Sequence, residues 1–325
     1  MILLHPLAAL LDWLGRQGTR AVAVSVFLGL AVPPLAALLK PFITEAIVAL
    51  MVLAFLRVEP AELRGHLTRP GPILMATLWT MVAAPALFAA VFVAFGLHEQ
   101  APGLMTALVL QAVAPPLMSA PAFAALLGLG AAAALLTLIA CMALAPLTSP
   151  LFVDALLGGT LTMAPLALGL RLFLIVAGSA LAAALLRRLA GPDFIATQKV
   201  RIDGLNVVLL FVFAVALMDG LTDRLLAEPL LVLGLTALSF ALSLGMVALT
   251  ALVFVRRGRA GALAVGLLAG FRNMGLMLAA TGGAVPELTW LYFAVAQFPI
   301  YLSPQLLKPL ARRFHAHLPG GIPPA

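Results

Sequence analysis

Ten runs of apolar residues, each long enough to cross roughly 30 Å of hydrocarbon, occupy nearly the whole chain. They lie at about 21–39, 41–57, 71–96, 102–127, 131–153, 163–186, 203–220, 229–254, 260–283 and 288–309. A bilayer offers no water to unpaired amides, so runs of this length must close their hydrogen bonds internally, as helices do. Of all residues 64% are hydrophobic and 10% charged, against roughly a quarter charged in a soluble domain. The expected fold class is an all-α polytopic membrane protein.

The basic residues orient these spans. With the N-terminus in the cytoplasm, Arg171 and Arg272 fall within spans, only Lys40 and Arg224 lie outside, and the other fifteen of the nineteen Lys and Arg lie inside. A single missed helix would scatter later basic loops to both sides, so the asymmetry supports ten spans and two cytoplasmic termini. The net charge of +7 is spread between apolar runs rather than gathered on one face, which excludes a nucleic-acid partner. Met1 to Arg20 lacks the basic start and small-residue cleavage site of a signal peptide and reads as an interfacial amphipathic helix. Much Ala, Leu and Arg with little Lys points to a bacterial inner membrane.

Ten spans divide into repeats of five at 21–153 and 154–314, followed by a disordered tail at 315–325. An odd number per repeat forces the two halves into opposite orientations. Helix 4 carries Ala114-Pro115-Pro116-Leu117, and helix 9 carries Gly270-Phe271-Arg272-Asn273-Met274-Gly275. Proline removes an amide and glycine permits unwinding, so both are expected to break, with Pro121, Gly270 and Gly275 as helix-breaking residues. Corresponding broken helices in inverted halves point to a transporter's binding site. A charge such as Arg272 at bilayer depth costs at least about 2.5 kcal/mol and survives only against protein, water or a ligand.

These segments resemble the bile acid:sodium symporter family and its superfamily of ten-helix carriers. Gly270 to Leu276 is similar to the family stretch Gly-Met-Gln-Asn-Ser-Gly-Leu. Ala114 to Pro121 falls where the family has Cys-Pro-Gly-Gly-Thr-Ala-Ser-Asn. Ala134-Leu135-Leu136-Thr137 through Ala145-Pro146-Leu147-Thr148-Ser149-Pro150 resembles an Ala-Leu-Ser-Val run ending in Pro-Leu-Leu-Thr-Pro. The resemblance implies a core of spans three to five and eight to ten moving against a panel of spans one, two, six and seven.

The departures bear on coupling. Where the symporters place oxygen ligands for two sodium ions, this chain has Leu268, Arg272, Ala120 and Pro121, none of which offers a side-chain oxygen to a hard cation. Only Asn273, whose counterpart lies beside the substrate cavity, persists. A guanidinium keeps its proton and its fork matches a carboxylate. Arg272 is therefore expected either to substitute for sodium or to pair directly with an anionic substrate. The substrate-binding set is Arg272, Asn273, Pro115, Pro116, Ser119 and Thr137, although Ser119 and Thr137 have the alternative of bonding back to their own helices. The coupling ion is a proton, a counter-anion or none.

Cys141 has no partner cysteine and reads as a packing residue, and the five histidines fall in loops or tails. No metal and no cofactor is expected. Arg171 is expected to snorkel outward, Glu45 to pair with Lys40 at the interface, and Asn206 and Gln297 to bond between helices. The spans hold no Ser/His, paired-Asp or His-Glu-x-x-His constellation and the chain no Gly-x-x-x-x-Gly-Lys-Ser/Thr loop, which excludes an intramembrane enzyme and ATP drive. The expected function is secondary transport of a small organic anion by alternating access. The alternatives are a non-transporting sensor or scaffold and an arsenite-type efflux permease. The permease would need a cysteine in the first broken helix and an acid at position 268, and neither is there.

Overall fold

The computed structural model describes residues 4–17, 19–58, 70–96, 101–129, 131–158, 161, 163–303 and 306–307. The tail from residue 315, Arg64, Arg69, Lys308, Arg312, Arg313, and all histidines except His5 lie outside them. The described residues form helices and no strand. The protein is an all-α, multi-pass membrane protein. Among the described residues six helices are long and apolar enough to cross a bilayer: α3 (Pro33–Leu56), α4 (Pro70–Ala94), α7 (Ala131–Leu157), α8 (Pro165–Ala190), Lys199–Ala227, whose first part is α9 (Lys199–Leu217), and α10 (Pro229–Phe254). The shorter helices that bear on the site are α1 (Leu4–Gln17), α2 (Thr19–Ala31), α5 (Pro102–Val113), α6 (Ala120–Leu126), α11 (Arg259–Gly270), α12 (Met274–Thr281) and α13 (Glu287–Val295). Leucines face outward as lipid demands, Leu166 and Leu230 being 84% and 85% exposed.

The first two spans meet at a different point from the one expected. Residues 40–42 form a 3-10 turn within α3, and the chain breaks instead at Val32, with φ −129 and ψ 72. Pro33 and Pro34 occupy the first turn of a helix, where a missing amide costs nothing, and Pro34 would clash with any helix continuing through it from upstream. His5 falls within α1 rather than in a loop. That helix lies along α9, where Gly15 meets the Val200 carbonyl, Gly204 meets the Leu11 carbonyl, and Arg201 pairs with Asp12 at 3.2 Å. The amphipathic segment is thus packed against protein along one face.

Two corrections concern charged and polar side chains, those of Lys40 and Gln297. Lys40 pairs with Asp219 at 2.8 Å and sits 4.6 Å over the Trp290 ring, rather than pairing with Glu45. Arg171 remains exposed and donates to the Ala280 carbonyl at 3.4 Å, where a cation complements the negative end of α12. Gln297 donates to Phe293 of its own helix rather than to a neighbour.

Close packing places α11. A Cβ on Gly266 would lie 2.7 Å from the Val247 carbonyl, and one on Gly270 2.5 Å from the Ser243 carbonyl. Two glycines four residues apart let the backbones of α10 and α11 touch, the small-residue device of membrane helices. Gly270 is still helical and its φ is not positive. Its role is this contact, and the unwinding begins one residue later.

Candidate functional site

Two interruptions meet. Helix α5 ends at Val113, and Ala114 turns extended at φ −60, ψ 142, because a residue preceding proline is driven out of the helical region. Helix α11 ends at Gly270, with Phe271 extended at φ −104, ψ 105. The freed stretches pair antiparallel at Pro116 and Arg272. Asn273 N donates to the Pro115 carbonyl and Leu117 N to the Phe271 carbonyl, each at 2.8 Å. The crossing thus satisfies groups that both broken helices would otherwise leave unpaired, at about 1–3 kcal/mol each when buried. Asn273 then caps α12, its side-chain oxygen accepting from Leu276 N at 3.0 Å. Ser149 of α7 braces the end of α5 by donating to the Val113 carbonyl at 2.8 Å. Ser149→Ala is expected to cost about 1 kcal/mol in thermal unfolding, the usual worth of one buried hydrogen bond.

The Arg272 guanidinium fastens the crossing from behind. Its Nε donates to the Ala269 carbonyl at 2.7 Å, and its Nη1 to the carbonyls of Ala114 and Thr80, each at 3.0 Å. Ala269 belongs to the last turn of α11, whose carbonyls have no helical donors and carry the negative end of the helix dipole, and Ala114 follows α5 in extended backbone, where its carbonyl has no helical donor either. The Thr80 carbonyl is free for another reason. Residues 79–83 of α4 form a π turn, in which residue i pairs with i+5, and the residue five beyond Thr80 is Pro85, which has no amide. Three backbone oxygens from three helices therefore surround one permanent cation. Among the described residues Arg272 forms no ion pair, and its Nη2 is buried without a hydrogen-bond partner.

In front of the crossing lies a cavity of about 850 Å³. Its inner end is formed by Ser119, Pro121, Arg272, Asn273 and Gly275, and its walls by apolar residues of α3, α7 and α9. At its open end stand Arg16, Arg57 and Asp203, the last two paired at 2.8 Å. Burial lowers the Arg57 pKa from its ordinary value, and Asp203 opposes that shift.

Not every expected residue faces this space. Pro115 and Pro116 are buried within the crossing and shape the site without lining it. Thr137 is 2% exposed, donates to the Ala133 carbonyl one turn back, and does not line the cavity. In a low-dielectric helix a hydroxyl with a carbonyl in reach takes that bond. Asn206, expected between helices, lines the cavity instead. Sequence reasoning missed the Thr80 carbonyl, for which Pro85 inside an apolar run was the available signal. It also missed the buried bond from Tyr292 to Gln111, which ties α13 to α5.

The arrangement can enclose a molecule with a large apolar surface and hold polar groups at either end of it. It has no metal-ligating cluster of His, Cys, Asp or Glu among the described residues. No protein-family model matches the chain, and a search of curated proteins finds no match.

Proposed function

We propose that this protein is a secondary carrier for a small organic anion with an apolar body, working by alternating access. The observation that supports it most is the pairing of two helix breaks around buried Arg272 at the inner end of a large, mostly apolar cavity. In this reading the chain is a divergent member of the bile acid:sodium symporter family in a bacterial inner membrane. Six long helices, the pairs α5/α6 and α11/α12, α2, and α13 with its continuation make ten crossings in two inverted sets of five. Broken helices crossing at a cavity are where carriers of this build hold substrate, because freed backbone is tolerated only where it lines protein or water.

Arg272 acts here as a covalently tethered stand-in for a coupling cation. A carrier that uses sodium gathers oxygens around the ion and releases it each cycle. Three carbonyls around a guanidinium meet the same charge requirement permanently, and the charge cannot leave. Drive then comes from the substrate's own gradient, a counter-anion or protons. The test is flux of 4-(biphenyl-4-yl)butane-1-sulfonate, an apolar-bodied anion that stays charged, into proteoliposomes. Sodium, proton and counter-substrate gradients are imposed separately. A sodium gradient is expected to leave flux unchanged, and Arg272→Gln to lower it roughly tenfold or more, the equivalent of one or two charge-assisted hydrogen bonds. Uphill uptake driven by sodium would refute the stand-in role, and binding without flux under every gradient would favour a sensor.

A further inference from the structure

The depth of the cavity can be read from the helices that wall it. A Cβ on Gly275 would lie 3.1 Å from Phe213 Cζ and 3.4 Å from Ile47 Cδ1, so the crossing sits level with those residues on α9 and α3. Arg57 follows Ile47 by ten residues and Asp203 precedes Phe213 by ten, which at helical rise is about 15 Å. Exposure changes along the same path: Arg272 is 2% exposed, while the side chains of Arg57 and Asp203 are 38% and 37% exposed. The cavity is thus a deep apolar slot with a cation fastened behind its floor and two more at its rim.

These three cations are not equally free. The Nε and Nη1 of Arg272 are committed to carbonyls, and its Nη2 is buried. Arg57 is engaged by Asp203. Arg16 is exposed, lines the slot, and has no hydrogen-bond or ion-pair partner among the described residues. It is brought there by the close seating of α1 on α9 through Gly15 and Gly204 and by the Asp12–Arg201 pair.

We propose that the anionic head of the substrate is held at the rim by Arg16, with Arg57 beside it, while its apolar body runs down the slot to the Arg272 crossing. This rests on the carrier reading above and assigns its anion-selecting residue. Arg272 positions the floor, and Arg16 recognises the charge. The ligand is an elongated amphiphile with a sulfonate, carboxylate or phosphate at one end. A lipid headgroup shares that chemistry, so the test must separate a bound solute from a bound lipid.

The experiment measures equilibrium binding of 4-(biphenyl-4-yl)butane-1-sulfonate and of the uncharged 4-(biphenyl-4-yl)butan-1-ol to the full chain in neutral detergent. Wild type is expected to prefer the sulfonate. In Arg16→Gln that preference falls roughly tenfold, the scale of one charge-assisted contact, while alcohol binding is unchanged. Arg16→Lys restores most of it. Because Arg16 is exposed, the wild-type preference also weakens as salt rises through the range where the Debye length falls below about 10 Å. Gly204→Leu, which forces α1 away from α9, should reproduce the loss. A preference that survives Arg16→Gln, or that ignores salt, overturns the assignment and leaves the carrier reading standing. So does an Arg16→Gln protein that loses only co-purified anionic lipid. If wild type binds neither compound, the carrier reading itself fails and the assignment fails with it.

Discussion

Arg272→Met lowers unfolding stability by about 4 kcal/mol, the largest loss expected of any single substitution in the crossing. Methionine nearly fills the volume and removes every donor, leaving the carbonyls of Ala269, Ala114 and Thr80 without the bonds they make to Arg272. Each such group costs about 1–3 kcal/mol when buried unpaired. Relief from desolvating the charge, and from leaving Nη2 without a partner, offsets part of the sum, which sets the net near the range for breaking one member of a buried polar set. The order of variants is informative. Arg272→Lys keeps a charge and three donors but cannot match the spread of Nε and Nη1, so it should fall between wild type and methionine. Arg272→Gln keeps two donors and no charge and should lie below lysine. Thermal and denaturant unfolding in detergent check this. A methionine variant as stable as wild type would show that those oxygens do not depend on the guanidinium, and the tethered-cation argument would have no basis.

The use of backbone carbonyls as partners for Arg272 is why this site was only half legible in the sequence. The segment around Arg272 stood out because a charge and two glycines interrupt an apolar run, and such an anomaly needs no partner to be noticed. Ala114-Pro115-Pro116 stood out for the same local reason. Their meeting is a tertiary fact, and so is the choice of carbonyls over a carboxylate as partners for the charge. Thr80 is one apolar helix away and offers a backbone atom, which no residue type announces. Proline chemistry at Pro85 was readable, but its effect, a freed oxygen turned toward α11, depends on packing. Thr137 failed as a cavity residue because a carbonyl one turn back was nearer than any ligand. Arg16 was legible only as an orientation charge, since nothing local says that α1 folds over the end of α9. Span lengths and charge asymmetry come from composition along the chain, so the all-helical membrane class could be read directly. The first break, at Val32 instead of Lys40, shows the limit of that reading. Two prolines begin a helix more firmly than one lysine and one proline end it.

Gly270 gives the second large effect, through packing rather than charge. Gly270→Ala introduces a Cβ against Val247 Cγ2 and 2.5 Å from the Ser243 carbonyl, well inside van der Waals contact. The side chain of Val247 can rotate or be trimmed, whereas the Ser243 carbonyl is fixed in α10 and cannot yield without moving the helix. Overpacking of this kind typically costs about 1–3 kcal/mol, and the upper end applies here because backbone is struck. Helix α11 must shift, and it carries Phe271 to Asn273 with it, so the 2.8 Å bonds to Pro115 and Leu117 are strained together with the local contact. A double variant separates the two parts of the clash. Val247→Ala alone leaves a small cavity and a modest loss. Combined with Gly270→Ala it should recover the share due to the methyl group but not the share due to the carbonyl, leaving a residual of about 1–2 kcal/mol. If the proposed carrier function holds, flux should follow the residual rather than the recovered share, because the crossing responds to helix displacement and not to side-chain crowding. Full rescue of both stability and flux by Val247→Ala would mean that α11 never moved, and the close seating of α11 on α10 would then have no part in setting the geometry around Arg272.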